Sequence, residues 1–472
     1  MLLCSHAYEF HKIWDIILFC EVIMKAGFAK FDITPRVGVS MAGFGPFLNR
    51  NATFVRDRLE ARAAALESGG GKALIISCDL TTLAPDTARL IREIIVEKLP
   101  EFTPDEILVT ATHTHSAPAV VLNNAGWGAP DLPYLQLLPY KVAQAGVDAW
   151  NNRAETTVSA ARVPCRHIGL NRVYDIDKPP LEEVLDENWE PAKPELTDTE
   201  CEVIRFDDAN GVLKGFMVNF GCHAVVCCQK CHYLHGDYPG VAIHGIMREY
   251  PGSVGLFLQG AEGDVNSGCV HKPEQESLLA LDVFAGRFAR AIRHGLAEAK
   301  PLEDDEIKTA RSTVEFSTIK NWTVEALLEK KREIDAVLNR ADASDDDKDV
   351  RMNTVYRTGV EKLLKLLRSG EKTSITADVF AVKMGPVEFL GAPFEIMQAI
   401  KNDTIAGARA PIPLVLSLCN GAYGYAPDQH SIDQANSYAA TSIPLMQGRF
   451  PYANIHRELV AAFLELDAKL NQ

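Results

Sequence analysis

Apolar runs alternate with amphipathic segments along this chain, and that order restricts the possible folds more than any other feature. Ala73–Leu80 is an apolar run of the kind that forms a strand buried on both faces. Asp86–Lys98 carries apolar residues at helical spacing and ends before Pro100, and Glu106–Thr112 is the next strand. The β-α-β order predicts an α/β fold with a mixed β-sheet core flanked by helices.

The same reasoning extends along the rest of the chain. Further strands are predicted at Glu202–Phe206, Gly215–Phe220, Gly255–Gln259, Asp378–Lys383, Val387–Leu390 and Leu414–Leu418, and a helix at Phe284–Ala299. The segment from about residue 321 to 370 is different, because it is rich in Lys, Glu, Leu and Arg around the acidic run Asp345–Asp349. It predicts a helical-hairpin insertion, for which a solvated surface is the simpler interpretation and a partner-binding role the other.

The N-terminal segment is interpreted as an extension of the domain. Ile13–Met24 is apolar, but Asp15 and Glu21 interrupt it, and it is too short to span a bilayer. We therefore predict that residues 1–23 are an upstream extension outside the fold. Residues 24–472 are then expected to form a single catalytic domain.

The charge balance argues against nucleic acid as a partner. The chain has 48 Lys and Arg against 63 Asp and Glu, a formal net charge of −15. This charge repels phosphate backbones and anionic membrane surfaces, so we expect a small-molecule substrate, no nucleic-acid partner and no stable membrane insertion. Eleven cysteines spread over a long chain fit reduced thiols better than a disulfide framework, which favours a cytoplasmic location.

Two histidines, His113 and His115, follow directly after the strand Glu106–Thr112. Strand C-termini in α/β folds open toward ligand crevices. In extended backbone, residues i and i+2 project to the same face, so both imidazoles could reach one metal ion or its bound water. A lone H-x-H pair is also common in structural roles, so by itself it leaves both interpretations open.

A second cluster, from Asn219 to Gly240, concentrates three His, four Cys and one Asp. One interpretation is a structural zinc knuckle, although its spacing is tighter than the usual tetrahedral pattern. Its ligands would be Cys228, Cys231, His232 and His235. The other interpretation is that His223 alone joins His113 at a catalytic metal, and that the cysteines are small buried apolar residues.

Two more strand ends carry polar loops. Gln259–Asn266 contains two glycines and two acids, and its carboxylates argue against a phosphate-binding loop. Cys419–Pro427 contains Tyr423 and Tyr425. A tyrosine hydroxyl here would serve as a metal ligand or an oxyanion donor, whereas the loop taken alone would be read as simple packing.

These four segments, in this order, resemble the N-terminal catalytic domain of the neutral/alkaline non-lysosomal ceramidase family. AGFAKFDITPRVGVSMAGFG at residues 26–45 is similar to the family's opening sequence, and ATHTHSAPA at 111–119 to its metal-binding THTHSGP segment. GCH at 221–223, HGDYPG at 235–240, QGAEGDVN at 259–266 and NGAYGYAP at 420–427 match later family elements. The resemblance covers roughly residues 26 to 460 and indicates a divergent, bacterial-type member.

The resemblance implies a zinc-dependent amidase. His113 and His223 would be Zn²⁺ ligands, Tyr425 a ligand or oxyanion donor, and His115 the proton shuttle. Zinc lowers the pKa of bound water toward about 7 and polarises an amide carbonyl, which makes this ligand set chemically sensible.

Two acids are predicted in or beside the same pocket. Metal-ligating imidazoles normally donate their second N–H to a carboxylate or carbonyl, and we expect Asp237 and Asp264 to take this part. The alternative for each is that it caps the helix that follows.

Two positions depart from the family pattern. Ala392 occupies the place of the family's glutamate ligand, and Glu395, three residues later, is the candidate replacement as a ligand or general base. The alternative for Glu395 is a helix-start carboxylate that favours the N-terminal dipole. Asn266 stands where the family has serine, and we assign Asn266 and Tyr423 to substrate binding.

The expected function is that of a zinc-dependent hydrolase cleaving an amide bond of an N-acyl substrate. A soluble substrate is favoured over membrane ceramide, because an acidic protein without an interfacial amphipathic helix is poorly suited to extracting a lipid. One alternative is a non-catalytic ligand-binding homologue, which Ala392 would favour. Another is a metal-dependent enzyme of a different class, carbohydrate-active or an esterase, on the same site.

Overall fold

The computed structural model describes residues 23–122, 126–174, 179–319, 322–434 and 436–472. The predicted N-terminal extension lies outside the described residues apart from Ile23, which begins the first strand. In the described part of the chain, none of the helices has the length and apolar character needed to cross a membrane.

Strands and helices alternate through the chain. The strands are β1 Ile23–Asp32, β2 Phe54–Val55, β3 Glu60–Ser68, β4 Gly71–Cys78, β5 Ile107–Ala111, β6 Ala154–Pro164, β7 Gly169–Asn171, β8 Glu200–Asp207, β9 Leu213–Phe220, β10 Tyr233–Leu234, β11 Val254–Gln259, β12 Val265–Ser267, β13 Lys300–Pro301, β14 Ile307–Phe316, β15 Ile375–Met384, β16 Val387–Gly391, β17 Glu395–Ile396, β18 Ile412–Leu416 and β19 Tyr425–Ala426. The helices are α1 Pro85–Lys98, α2 Leu132–Asn151, α3 Leu181–Val184, α4 Asp237–Glu249, α5 Glu274–Glu298, α6 Val324–Leu338, α7 Lys348–Ser369, α8 Gln398–Gly407, α9 Gln429–Asp433, α10 Ile443–Gln447 and α11 Ile455–Leu470.

The main sheet has nine strands in the order β11-β9-β8-β6-β1-β3-β4-β5, with β13 paired to β6. Its pairing is mixed, since β4–β5 and β9–β11 are parallel and the others antiparallel. Every strand predicted from the sequence overlaps an observed one, and the α/β prediction with a mixed sheet is confirmed. The predicted helix at Phe284–Ala299 is the second half of α5, which begins ten residues earlier, directly after Pro273.

A second sheet, in the order β14-β15-β16-β18, packs on one face of the main sheet. Phe380 and Phe389 of this sheet join Ile75 and Leu108 of the main sheet in one buried cluster. Helices α1 and α2 cover the opposite face of the main sheet, and α11 covers the outer face of the second. Four layers result, because each sheet has two apolar faces and both must be buried.

The predicted helical hairpin corresponds to α6 and α7. Leu327 and Ile334 of α6 pack against Val360 and Leu363 of α7. The hairpin also packs closely on the domain, since a Cβ on Gly359 would lie 1.8 Å from the carbonyl oxygen of Leu445 in α10. The insertion is therefore part of the packed body of the protein as well as a solvated surface.

The curvature of the main sheet brings distant strands together. Successive antiparallel pairings leave β5 and β9 running in opposite senses. Even so, β11 contacts β4 and β5 from the far end of the strand order, and Ser77 Oγ donates a hydrogen bond of 2.5 Å to the Phe257 carbonyl. The loops that follow β5, β9 and β11 consequently meet.

Candidate metal centre

The structure brings two of the predicted histidines together with the candidate glutamate. Glu395 Oε2 lies 3.5 Å from His113 Nε2 and 3.4 Å from His223 Nε2. The two imidazole ring centroids are 4.7 Å apart. His113 and His223 follow β5 and β9, and Glu395 begins β17, so residues separated by more than a hundred positions converge on one point.

Backbone carbonyls hold both imidazoles in one tautomer. His113 Nδ1 lies 2.7 Å from the Thr81 carbonyl oxygen, and His223 Nδ1 lies 2.6 Å from that of Glu262. A carbonyl only accepts hydrogen bonds, so each Nδ1 carries a proton, and in the neutral imidazole each Nε2 presents a lone pair. These two lone pairs face Glu395 Oε2, a buried oxygen with no hydrogen-bond donor among the described residues. Three acceptors without a donor between them form a site for a cation.

The two acids expected to orient the imidazoles do not contact them, which corrects that prediction. Asp237 accepts hydrogen bonds from the backbone N–H groups of Val226 and Tyr238, at 3.2 and 2.8 Å. Asp264 accepts from Asn171 Nδ2 at 2.7 Å and from the Gln398 N–H at 2.8 Å. Burial raises the pKa of each carboxyl to about 6. Both acids anchor the loops around the site, because a nearer carbonyl already satisfies each imidazole N–H.

His115 lies beside the pair, although not for the reason expected from the sequence. His113 has a φ of +62° and the segment turns, so the two rings do not project from extended backbone. His115 Nε2 is 3.3 Å from His113 Nε2, and the Phe44 ring packs edge-on against His115 at 5.3 Å between centroids. Burial, together with neighbouring His113 and His223, holds the pKa of His115 well below its usual value. The ring is therefore neutral near pH 7 and can accept a proton.

The charges of the three converging groups follow from their contacts. Burial alone would raise the pKa of Glu395, but His113 and His223 hold it well below its ordinary value. Burial and the nearby Arg172 lower the pKa of His223 to about 4. Burial opposes protonation of His113, but Glu395 outweighs it and raises that pKa. Glu395 is thus an anion and His223 a neutral ligand.

Tyr425 lies next to Glu395 on the cavity wall. The two residues are register partners of the parallel pair β17–β19. Burial raises the pKa of the Tyr425 hydroxyl well above its ordinary value, and the opposing charge of Arg172 does not reverse this. The hydroxyl is therefore a hydrogen-bond donor in the protein without a bound cation.

Sequence reasoning missed two site residues, Arg172 and Glu262. The Arg172 guanidinium lies 5.3 Å from the Tyr425 ring centroid, and its Nη2 donates to the Gly263 carbonyl at 2.7 Å. Nothing in the sequence marked Arg172, because it reaches the site through the pairing of β7 with β12. Glu262 is fully buried with both carboxyl oxygens lacking a hydrogen bond of normal geometry, and burial raises its pKa to about 8. It lies inside the Gln259–Asn266 loop, so that motif was the available signal.

Each of the two predicted substrate-binding residues accepts a hydrogen bond from an arginine. Asn266 Oδ1 accepts a hydrogen bond of 3.4 Å from Arg172 Nη1. The Tyr423 carbonyl accepts one of 2.5 Å from Arg449 Nη1. Neither Asn266 nor Tyr423 lines the cavity, so direct contact with substrate stays a prediction for both.

The cysteine-rich segment does not assemble the alternative zinc knuckle. Cys228 and Cys231 have Sγ atoms 3.7 Å apart, but His232 pairs with the Asn51 carbonyl at 3.0 Å. His235, Cys227 and Asp237 place potential ligand atoms within 4.8 Å of one another. However, His235 Nδ1 accepts the Asp237 N–H at 3.0 Å, so its Nε2 carries the proton and cannot bind a metal. The described cysteines are free and buried, as small apolar residues would be.

A cavity of about 340 Å³ lies beside the candidate metal centre. Its polar end is formed by His113, His115, Glu395 and Tyr425. Most of the remaining wall is apolar, and includes Val120, Val121, Leu122, Trp127, Val355, Ile443 and Met446. Val355 belongs to α7, so the helical insertion supplies part of this wall.

Comparison with known proteins agrees with this architecture. The family description "neutral/alkaline non-lysosomal ceramidase, N-terminal" matches residues 24–270. The crystal structure of neutral ceramidase from Pseudomonas aeruginosa is similar with a TM-score of 0.71 at 17% identity, covering 94% of this chain and 75% of that one. A structure of a ceramidase complexed with C2 is similar with a TM-score of 0.70 at 16% identity, covering 95% and 75%. No curated protein sequence gives a significant match. With a family match over more than half of its length, the chain belongs to the neutral/alkaline non-lysosomal ceramidase family.

Proposed function

We propose that this member of an amide-hydrolase family is a zinc-dependent hydrolase of N-acyl amides, with the metal held by His113, His223 and Glu395. The observation that carries the proposal is the convergence of two Nε2 lone pairs and one unpaired carboxylate oxygen. Ala392 leaves the family's glutamate position without a carboxylate, and Glu395 supplies one from three residues further along.

The donor set fits zinc in kind and spacing. Zinc takes imidazole nitrogen and carboxylate oxygen at about 2.0–2.1 Å in a tetrahedron, so two such donors lie roughly 3.3–3.4 Å apart. The separations of 3.4 and 3.5 Å from Glu395 Oε2 to the two Nε2 atoms match that edge. Tyr425 is adjacent and would be the fourth protein ligand or a donor to substrate.

Zinc, when bound here, supplies a Lewis acid and a lowered pKa for water. The chain's own residues supply proton transfer and charge stabilisation. His115, neutral at pH 7, takes a proton from the attacking water and returns it to the leaving nitrogen. Tyr425 Oη donates a hydrogen bond toward the amide oxygen as negative charge develops there, and the Arg172 guanidinium lies next to the Tyr425 ring.

The cavity favours an N-acyl substrate. Its apolar wall suits an acyl chain, and its polar end is where the amide bond would lie. We infer a substrate delivered from solution rather than from a membrane, since the chain carries a net charge of −15.

Metal content and turnover of Glu395→Gln test the proposal. The wild type is expected to hold about one zinc per chain and to hydrolyse chromogenic N-acyl amides. Loss of a carboxylate ligand should remove the zinc or at least about 100-fold of kcat/KM. Glu388→Gln is the matched control, because Glu388 is a buried carboxyl on β16 outside the cavity. Full zinc and full activity in Glu395→Gln would contradict the assignment.

The same assay separates the alternatives. Bound zinc without turnover of amides, esters or glycosides would indicate a ligand-binding homologue. Turnover of esters or glycosides alone would indicate another reaction class.

A further inference from the structure

The cavity next to Glu395 carries positive charge, although the chain as a whole is strongly acidic. The cations Lys362 and Arg449 line it. Among the described residues of its wall the one carboxylate is Glu395, which contacts the two histidines of the candidate metal centre. Elsewhere in the protein arginines commonly pair with acids, as Arg62 does with Asp79 at 2.9 Å. A cation beside an apolar cavity without an anionic partner is unusual, because a buried charge is costly unless it is paired.

Only one nitrogen of the Arg449 guanidinium, Nη1, is held by hydrogen bonds to described residues. Its Nη1 donates to the Tyr423 carbonyl at 2.5 Å and to Gln447 Oε1 at 3.4 Å, and its Cζ lies 5.3 Å from the Tyr423 ring centroid. Nε and Nη2 make no hydrogen bond to any residue that the structure describes. Burial lowers the pKa of Arg449; the neighbouring hydroxyls of Tyr452 and Tyr423 oppose this lowering, and no carboxylate of the described residues does.

This arginine is tied to the loop that holds the proposed catalytic residues. Tyr423, its backbone anchor, precedes Gly424, whose carbonyl accepts the Glu395 N–H at 2.9 Å. Tyr425 follows and pairs with Glu395 in register. Arg449 and Glu395 line the same cavity.

We propose that Arg449 binds a carboxylate of the substrate, and that the amide hydrolysed is an N-acyl amino acid. This inference rests on the proposed function and specifies its substrate class. A planar guanidinium with one free edge matches a carboxylate with two parallel hydrogen bonds, whereas the hydroxyl headgroup of a ceramide offers no charge to it. The reaction consumes one water: the acyl C–N bond breaks, a C–O bond forms, and a proton passes to the amine nitrogen, giving a fatty acid and a free amino acid.

The test compares N-octanoylglycine with N-octanoylglycinamide, which differ in charge and share the scissile bond. Wild type should prefer the carboxylate by at least about tenfold in kcat/KM. Arg449→Met should reduce this preference by about 10- to 100-fold, chiefly through KM, and Arg449→Lys should fall between, because it keeps the charge and loses the fork. Arg457→Met, at an exposed arginine outside the cavity, should leave the preference unchanged.

The outcomes separate this inference from the proposed function. Equal turnover of both substrates by wild type, or an unchanged preference in Arg449→Met, would overturn the carboxylate subsite while leaving the amidase intact. If wild type hydrolyses neither, the amidase proposal fails, and binding of the non-hydrolysable N-octylsulfonylglycine decides the subsite by calorimetry. Binding that Arg449→Met weakens at least tenfold would support the subsite, and no binding to wild type would overturn it.

Discussion

Replacing Gly43 with alanine should displace His115 while leaving the fold and the metal ligands in place. An alanine Cβ at this position would lie 2.6 Å from both Cβ and Cγ of His115. Ordinary contact begins at 3.4 Å, so the imidazole must retreat by about 0.8 Å. Because the His115 Cβ is bonded to its Cα, rotation of the ring alone cannot relieve this contact. The turn that carries His115 must therefore shift with the imidazole, against the 3.1 Å hydrogen bond from Arg50 Nη2 to the His115 carbonyl.

The size of the effect follows from that displacement. In the wild type His115 Nε2 lies 3.3 Å from His113 Nε2. A displacement of His115 by about 0.8 Å takes this atom out of hydrogen-bond reach. Misplacing a catalytic group by about 1 Å costs on the order of 100-fold in rate. The positive φ of +114° adds a strain of roughly 1–3 kcal/mol in stability that is separate from the catalytic loss.

Gly38→Ala separates the two effects. Gly38 has a similar φ of +91°, but a Cβ there meets no atom within 4 Å. Both variants should lose thermal stability, Gly43→Ala the more because of its steric contact. Both should keep their zinc, because His115 is not a proposed ligand. Only Gly43→Ala should lose about 100-fold in kcat with an N-acyl amide. Equal activity losses in the two variants, or full activity in Gly43→Ala, would refute the role given to His115.

Two further predictions concern stability. Burial raises the pKa of Glu388 to about 7, so between pH 4.5 and 7 the folded state binds more protons and stability falls as pH rises. Glu388→Gln should remove that slope and gain about 1 kcal/mol relative to wild type at pH 8, measured by urea unfolding; parallel pH profiles would contradict the burial of this charge. Gly359→Ala should push α7 away from the Leu445 carbonyl, 1.8 Å from the new Cβ, and cost about 1–3 kcal/mol. Gly286→Ala, on an exposed face of α5 with open space, should instead stabilise by up to about 1 kcal/mol, and a stabilising Gly359→Ala would show that the hairpin is not tightly packed.

Local sequence patterns were enough to predict the secondary structure elements and the chemical character of the loops that follow them. Local patterns of apolar residues set the strands and the helical hairpin, because burial and backbone geometry act over a few neighbouring residues. His113, His223 and Tyr425 were identifiable because each follows a predicted strand and carries a side chain suited to metal chemistry. Glu395 was identified through the resemblance to the ceramidase family, whose glutamate position is Ala392 here.

The hydrogen-bond partners of these residues depend on long-range packing and could not be predicted from local sequence. The imidazoles donate to the carbonyls of Thr81 and Glu262 instead of to Asp237 and Asp264, since every residue has a carbonyl and no sequence pattern marks the one that will be near. Arg172 reaches the site through the pairing of β7 with β12. Strands of two or three residues have too few side chains for the sequence to indicate which strand they pair with. The curvature of the main sheet, which brings the ends of oppositely running strands together, is seen only in contacts between residues far apart in the sequence, such as those of β11 with β4 and β5. The charge of the cavity also depends on long-range packing, because the fold determines which Lys and Arg side chains lie beside it without an acidic partner.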